Sequence, residues 1–215
     1  MAIKKTPIER DWKAAIQQLK RVEPGFHEVI KSQRGSPLEI QRSRSPFEAL
    51  IRSIIYQQIT GKAAATIHQR FLDSFPRRRP IAETIVKLDS KKLRSCGLSS
   101  NKARAIIDLA EHQLRGDLPG FAALNRLNNE SIIDKLSMIH GIGPWTVQML
   151  LIFQLGRVDV LPSNDLGVCK GATIILGRKK MLSSKQLEKH AKRWAPYRSI
   201  ASWYCWRATE LEPTS

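Results

Sequence analysis

LSMIHGIGPWTVQMLL, residues Leu136 to Leu151, reads as the end of one helix, a turn with two glycines, and the start of another helix. Gly141 and Gly143 suit a backbone that turns sharply and approaches another group closely, because neither carries a Cβ. Pro144 supplies the fixed φ favoured at a first helical position, and Val147, Leu150 and Leu151 give the new helix an apolar face. A helix that starts directly after such a turn points unpaired N–H groups and a partial positive charge outward, a geometry that grips a phosphate. An αα-hairpin whose glycines only close the turn has the same spacing, and the residues alone leave both readings open.

Outward from this hairpin the apolar residues keep helical spacing almost everywhere, and strict alternation over four or more residues is hard to find. Just upstream, Asn129 is placed to cap a helix that carries Ile132, Ile133, Leu136 and Ile139. Near the N-terminus Trp12, Ile16 and Leu19 mark a helix that ends before Pro24 and Gly25, and a polar loop runs from about Ser32 to Ser45. Ser45, Pro46 and Glu48 supply an N-cap, a proline at the first helical position and the glutamate of a capping box. That helix buries Leu50, Ile51, Ile54 and Ile55, breaks around Ile59, Thr60 and Gly61, and is followed by another with Ala64, Ile67 and Phe71. Arg77 to Arg79 form a basic loop, Cys96 and Gly97 close a helix, and Ser99 or Ser100 caps the next, with Ile106, Leu109 and Ala110. Gly116 to Gly120 is a turn and Gly156 to Gly171 a long connection. Ser183 and Gln186 write a second capping box for a helix ending near Trp194, and Pro196 precedes a last helix with Trp203 and Trp206. The pattern predicts an all-α protein.

The chain has 215 residues, with 36 Lys and Arg against 19 Asp and Glu, a formal net charge of +17. Such an excess is the electrostatic footprint of a polyanion binder. With 42% hydrophobic residues spread throughout, the chain is expected to fold as a water-soluble globule rather than remain a basic tail. The longest apolar stretch, Val147 to Leu155, is interrupted by Gln148 and Gln154 and falls short of the roughly 18 residues a membrane helix needs. Lys4 and Lys5 are followed by Pro7, Glu9 and Asp11 with no apolar core, which argues against a secretory signal. The basic residues do not cluster on one amphipathic helix, so nucleic acid fits better than an anionic lipid surface. Cys96, Cys169 and Cys205 are odd in number and far apart, which predicts buried thiols in a reducing compartment and neither a disulfide framework nor a metal motif. The location expected is intracellular.

The stretch LSMIHGIGPWTVQMLLIFQLGRVDVLPSNDLGVCKG, from the hairpin to Gly171, resembles the helix-hairpin-helix DNA glycosylase superfamily in its hairpin, its Gly/Pro-rich loop and its aspartate. GIGPWTV and LPSNDLGV resemble in particular the 3-methyladenine DNA glycosylases, which remove alkylated bases. The similarity extends through PFEALIRSIIYQQITGKAAATIHQRF, GLSSNKARAIIDLA and RWAPYRSIASWYCWRATE, covering about Pro46 to Glu210. The resemblance implies one glycosylase unit over residues 1–215, an all-α, two-lobed helical bundle with the active site in the cleft between lobes. One lobe would take residues 46–120 with the hairpin 129–155, the other residues 1–45 and 156–210.

It also implies roles. The catalytic aspartate falls at Asp165, and aromatics lining the base pocket at Trp145 and Trp206. Amides gripping a DNA phosphate fall at Gly141, Ile142 and Gly143, with Thr146 beside them. Backbone carbonyls of Ser137, Ile139 and Gly141 match positions that hold a monovalent cation, Na⁺ or K⁺. The turn at Gln57, Gln58, Ile59 and Thr60 would enter the DNA, with Gln58 filling the gap left by an extruded base. Asp159 is read as a structural or solvated carboxylate and Trp203 as core.

Three departures narrow the expectation. Bifunctional relatives carry an imine-forming lysine in the hairpin where this chain has Trp145, so no lyase activity is expected. Relatives with an iron–sulfur cluster have four closely spaced C-terminal cysteines where this chain has Cys205 alone, so no cluster and no other cofactor is expected. Larger relatives add an N-terminal β-rich domain, whereas here helices begin by about residue 10. The function implied is hydrolysis of the N-glycosidic bond of alkylated purines in double-stranded DNA by base flipping, carried out by a monomer. An indole-lined pocket suits a cationic alkylated base, through stacking worth about 1–3 kcal/mol and a cation–π term of up to about 2 kcal/mol. A non-catalytic helix-hairpin-helix DNA anchor and a same-fold glycosylase for other damaged or mismatched bases remain alternatives.

Overall fold

The computed structural model describes residues 5–33 and 38–211, and among these every regular element is helical. They divide into two compact units, one drawn from Met1–Gln41 and Leu151–Ser215, the other from Arg42–Leu150. The division falls inside a helix, between Leu150 and Leu151.

The first unit opens with α1 (Pro7–Val22) and α2 (Phe26–Ser32). Thr6 and Glu9 form a capping box at the head of α1, which buries Ile8, Trp12, Ala15 and Leu19. The helix α2 lies in a stretch whose short apolar run, Phe26, Val29 and Ile30, is too brief to show a period in sequence.

The second unit holds α3 (Pro46–Tyr56), α4 (Gly61–Asp73), α5 (Ala82–Ile85), α6 (Ser90–Ser95), α7 (Ser100–Leu114), α8 (Phe121–Leu124), α9 (Asn129–Leu136) and most of α10 (Pro144–Phe153). Ser45 Oγ accepts the Glu48 N–H at 3.2 Å as expected, but the box is only half built, because the Glu48 carboxylate takes the Arg44 N–H instead. The cap of α9 is Asn128, not Asn129: its side chain accepts the Ser131 N–H at 2.8 Å. Around α7 pack α3, α5 and α6, enclosing Leu50, Ile54, Ile55, Leu93, Ile106 and Leu109 without exposed surface. The Arg77–Arg79 loop is exposed and winds through left-handed backbone at Arg77 and Arg78, with Arg78 against Asp73 at 3.4 Å.

The first unit resumes after α10 with α11 (Leu166–Ile175), α12 (Ser184–Ala191) and α13 (Arg198–Leu211). The expected connection to Gly171 is therefore shorter, because α11 begins at Leu166 and Asp165 is its N-cap. The Ser183 and Gln186 capping box is complete. Helices α11 and α13 meet at Gly171, where any Cβ would collide with the Cys205 backbone carbonyl. That close approach depends on glycine and places the N-terminus of α11 beside the middle of α13. Trp194 is fully buried, edge-on to Phe26 at 5.4 Å. All three cysteines are free and buried.

Candidate active site and nucleic-acid interface

In the first unit the focus is Asp165. Its Oδ1 accepts the Val168 N–H at 2.9 Å, which caps α11, and the Trp206 indole N–H at 2.9 Å. The carboxylate is half-buried, so two donors fix its orientation while part of it stays within reach of solvent. Gly167 makes this arrangement fit, since a Cβ there would stand 2.9 Å from the Trp206 ring and 3.2 Å from Asp165 Oδ1. The N-cap reading of Asp165 and the functional one are thus compatible: one oxygen ties the carboxylate to the helix and indole that aim it.

Trp206 is half-buried, and one face of its indole stacks on Phe153 at 5.8 Å with 24° between planes. Phe153, the last residue of α10, was not anticipated from the sequence. Trp203 is half-buried rather than core, with the Arg207 guanidinium over its ring at 4.4 Å. Asp159 is structural: Arg198 holds both its oxygens, at 2.6 and 2.8 Å. Burial, with the neighbouring Asp165 charge, raises the Cys169 thiol pKa, so this thiol is no ready nucleophile.

In the second unit the hairpin and the turn after α3 lie together. Gly141 has φ +76°, and a Cβ on it would run into the Ala105 side chain, so this glycine closes the turn against α7. Gly143 has nothing within 4 Å of where a Cβ would sit and is exposed. Ile142 departs from the expected grip: its side chain is buried and its N–H bonds the Ile139 carbonyl at 3.1 Å. Thr146 also departs, because it is only 2% exposed and its hydroxyl accepts from Gln57 Nε2 at 2.9 Å. Its side chain is bonded within the second unit, to Gln57 of the turn after α3. Trp145 is half-buried at the start of α10.

Gln57 Nε2 also donates to the Gly141 carbonyl at 3.0 Å. Gln58, Ile59 and Thr60 are exposed, and Gln58 has φ +55°, a left-handed conformation uncommon for a residue with a Cβ. Thr60 caps α4 through the Ala63 N–H. Of the three carbonyls that match a cation site, Ile139 and Gly141 already accept one hydrogen bond each, and Ser137 Oγ is buried without a partner. A carbonyl oxygen has a second lone pair, so the hydrogen bonds at Ile139 and Gly141 leave each oxygen one further acceptor site.

The chain matches the family model of the HhH-GPD superfamily base excision DNA repair proteins over residues 51–196. DNA-3-methyladenine glycosylase 1 of Schizosaccharomyces pombe is 37% identical over 176 residues, spanning 81% of this chain and 77% of that protein. The alkylbase DNA glycosidase-like protein mag2 of the same organism is 30% identical over 209 residues, 94% of this chain and 96% of its own. Among solved structures, S. pombe Mag1 in complex with abasic DNA superposes with a TM-score of 0.85 at 34% identity, over 92% of this chain and 97% of that one. No helix among the described residues is long and apolar enough to cross a membrane. A match over two thirds of the sequence, a relative this similar and the same helical architecture agree: the chain belongs to the HhH-GPD superfamily of base excision DNA repair proteins.

Proposed function

We propose that this protein is a monofunctional DNA glycosylase that hydrolyses the N-glycosidic bond of alkylated purines, of the 3-methyladenine and 7-methylguanine type, in double-stranded DNA. The observation that carries the reading is the Asp165 carboxylate, held half-exposed by the head of α11 and the Trp206 indole. Alkylation makes a purine cationic and a good leaving group, so what the reaction lacks is stabilisation of the oxocarbenium-like sugar and an oriented water. A preorganised carboxylate supplies both. In this reading Trp145 and Trp206 receive the extruded base, and the exposed Gly143 end of the hairpin meets a phosphate. The turn at Gln58, Ile59 and Thr60 fills the vacated stack. The carbonyls of Ser137, Ile139 and Gly141 would hold a monovalent cation, which adds positive charge beside the same phosphate. The enzyme works as a monomer inside the cell, where the DNA is.

The test is base release from a panel of duplexes carrying methylated, deaminated or oxidised bases. Release of methylated purines is the expected result. Release of only uracil or 8-oxoguanine would move the protein to another substrate class, and binding without release of any base would make it a DNA anchor.

Two variants probe the parts separately. Trp206→Phe keeps an aromatic ring against Phe153 but removes the donor to Asp165, a charge-assisted bond worth about 1.5–3 kcal/mol. Single-turnover base release should slow roughly tenfold to a hundredfold with DNA affinity unchanged; wild-type rates would remove the indole N–H from the mechanism. In Gly143→Val the new Cβ has no protein atom within 4 Å, so its melting temperature should stay near that of the wild type. Its affinity for normal and damaged duplex alike should drop roughly tenfold, because the side chain stands where a phosphate approaches. Unaltered affinity, read by fluorescence anisotropy, would leave the turn a purely structural one.

A further inference from the structure

The exposed turn after α3 is strained, short and rich in polar side chains, a combination that ordinarily gives a mobile loop. Here three sets of contacts hold it. Lys102, in the first turn of α7, donates from Nζ to the Ile55 carbonyl at 2.8 Å and to the Gln57 carbonyl at 2.7 Å. These are among the carbonyls that the end of α3 leaves without helical partners, so the ammonium serves as a C-terminal cap. Burial lowers the pKa of this ammonium, the mark of a charge drawn out of water toward fixed acceptors. From the same turn, the Gln57 amide reaches the hairpin at Gly141 and Thr146. Finally, α7 supports the hairpin itself: Ala105 lies against Gly141, and Asp108 accepts the His140 N–H at 2.8 Å. Lys102, Ala105 and Asp108 are three residues apart in succession and so fall along one side of the helix.

We propose that Lys102 and Gln57 are positioning residues for base extrusion, locking the Gln58 turn to the hairpin through α7 so that the phosphate grip and the plug act as one rigid head. The inference rests on the glycosylase reading above and adds to it how extrusion is driven. Opening a base pair costs a few kcal/mol, and the cost is smallest for a base that is already unpaired. A plug on a loose loop would dissipate the hairpin's hold on the backbone; a plug tied to the hairpin converts that hold into displacement of the base. Gln58 then keeps its left-handed backbone because Gln57 before it is pinned and Thr60 beyond it caps α4, not because its own side chain prefers it.

The experiment uses the full chain with Lys102→Met, which keeps an unbranched side chain of similar length but no donor, and with Gln57→Leu as an independent second variant. The first readout needs no catalysis: 2-aminopurine placed opposite an abasic-site analogue brightens when the duplex is opened. The wild type should brighten it, and both variants should bind the duplex yet brighten it at least about fivefold less. The second readout is single-turnover release of 7-methylguanine from a paired duplex and from the same strand with the lesion unpaired. Both variants should lose roughly tenfold on the paired substrate and less than about twofold on the unpaired one. Equal losses on both substrates would make the clamp a general structural support and overturn the proposal, as would wild-type brightening by either variant. A wild type that brightens the probe but releases no base would sink the glycosylase reading and leave the clamp standing.

Discussion

Asp165→Asn should fold, bind DNA and release almost no base. The amide oxygen can still accept the Val168 and Trp206 N–H groups that Oδ1 accepts now, and asparagine caps helices as well as aspartate does. The melting temperature and the affinity for an abasic-site analogue should therefore stay near their wild-type values. The negative charge is gone, however, and with it the stabilisation of a cationic sugar and the acceptor for water's proton. Loss of one preorganised electrostatic contact in an active site typically costs about 10²-fold or more in rate, on the order of 3 kcal/mol. Single-turnover release of methylated purine is the measurement. Near-normal release would take the carboxylate out of the chemistry, and loss of DNA affinity together with activity would leave Asp165 a structural cap.

Gly171→Val should produce a large loss of stability. The new side chain would begin inside the Cys205 carbonyl, which is main chain and cannot turn aside, so α11 and α13 must separate. Overpacking against backbone is expected to cost about 3 kcal/mol or more, out of a total of roughly 5–15 kcal/mol for a typical domain. For a chain of this size that is a fall in Tm of roughly 6–12 °C or more. Activity should suffer beyond the fraction unfolded, because the same contact sets Asp165, at the head of α11, against Trp206 on α13. Gly61→Ala is the control: a Cβ there meets nothing within 4 Å, so its stability should hold or rise by up to about 1 kcal/mol. A Gly171→Val protein that melts with the wild type would contradict the packing described.

What could be seen in the sequence was what is local. Ser45, Ser99 and Ser183 each cap the helix that follows through a partner three residues on, and such spacing is legible without a structure. Local spacing also misleads by one residue: Asn128 and Asn129 are both good caps, and only the register of the Ser131 N–H chooses between them. The short helices α5, α6 and α8, at four to six residues, run too briefly to show a period. The two hairpin glycines differ in a way that spacing does not report. Gly141 closes the turn because Ala105 is pressed against it, and Gly143 is the one with open space around it.

The site was legible at Asp165 and Trp206 only as a resemblance. Their hydrogen bond spans 41 positions of sequence, and no periodicity reports a contact of that range. Lys102, and the bond that Gln57 makes to the hairpin, went unnoticed for the same reason: the partners lie 45 to 47 and 84 residues away. The resemblance placed Thr146 beside the amides without saying where its side chain goes, and only the Gln57 side chain folding back onto it shows that the hydroxyl faces inward.

In the proposed reaction water, directed by Asp165, breaks the bond between base and sugar and leaves the strand whole. The measurement closest to it incubates the wild type with a duplex labelled both in a 7-methylguanine base and at the strand end, and follows free base and strand length together. The prediction is free 7-methylguanine appearing in step with alkali-labile sites, while the strand stays full length until alkali is added, since the proposed hydrolysis forms no imine with the sugar and the tryptophan at position 145 has no amine to form one. A strand cut at the lesion without alkali, or a duplex that is bound but yields no free base, would contradict it.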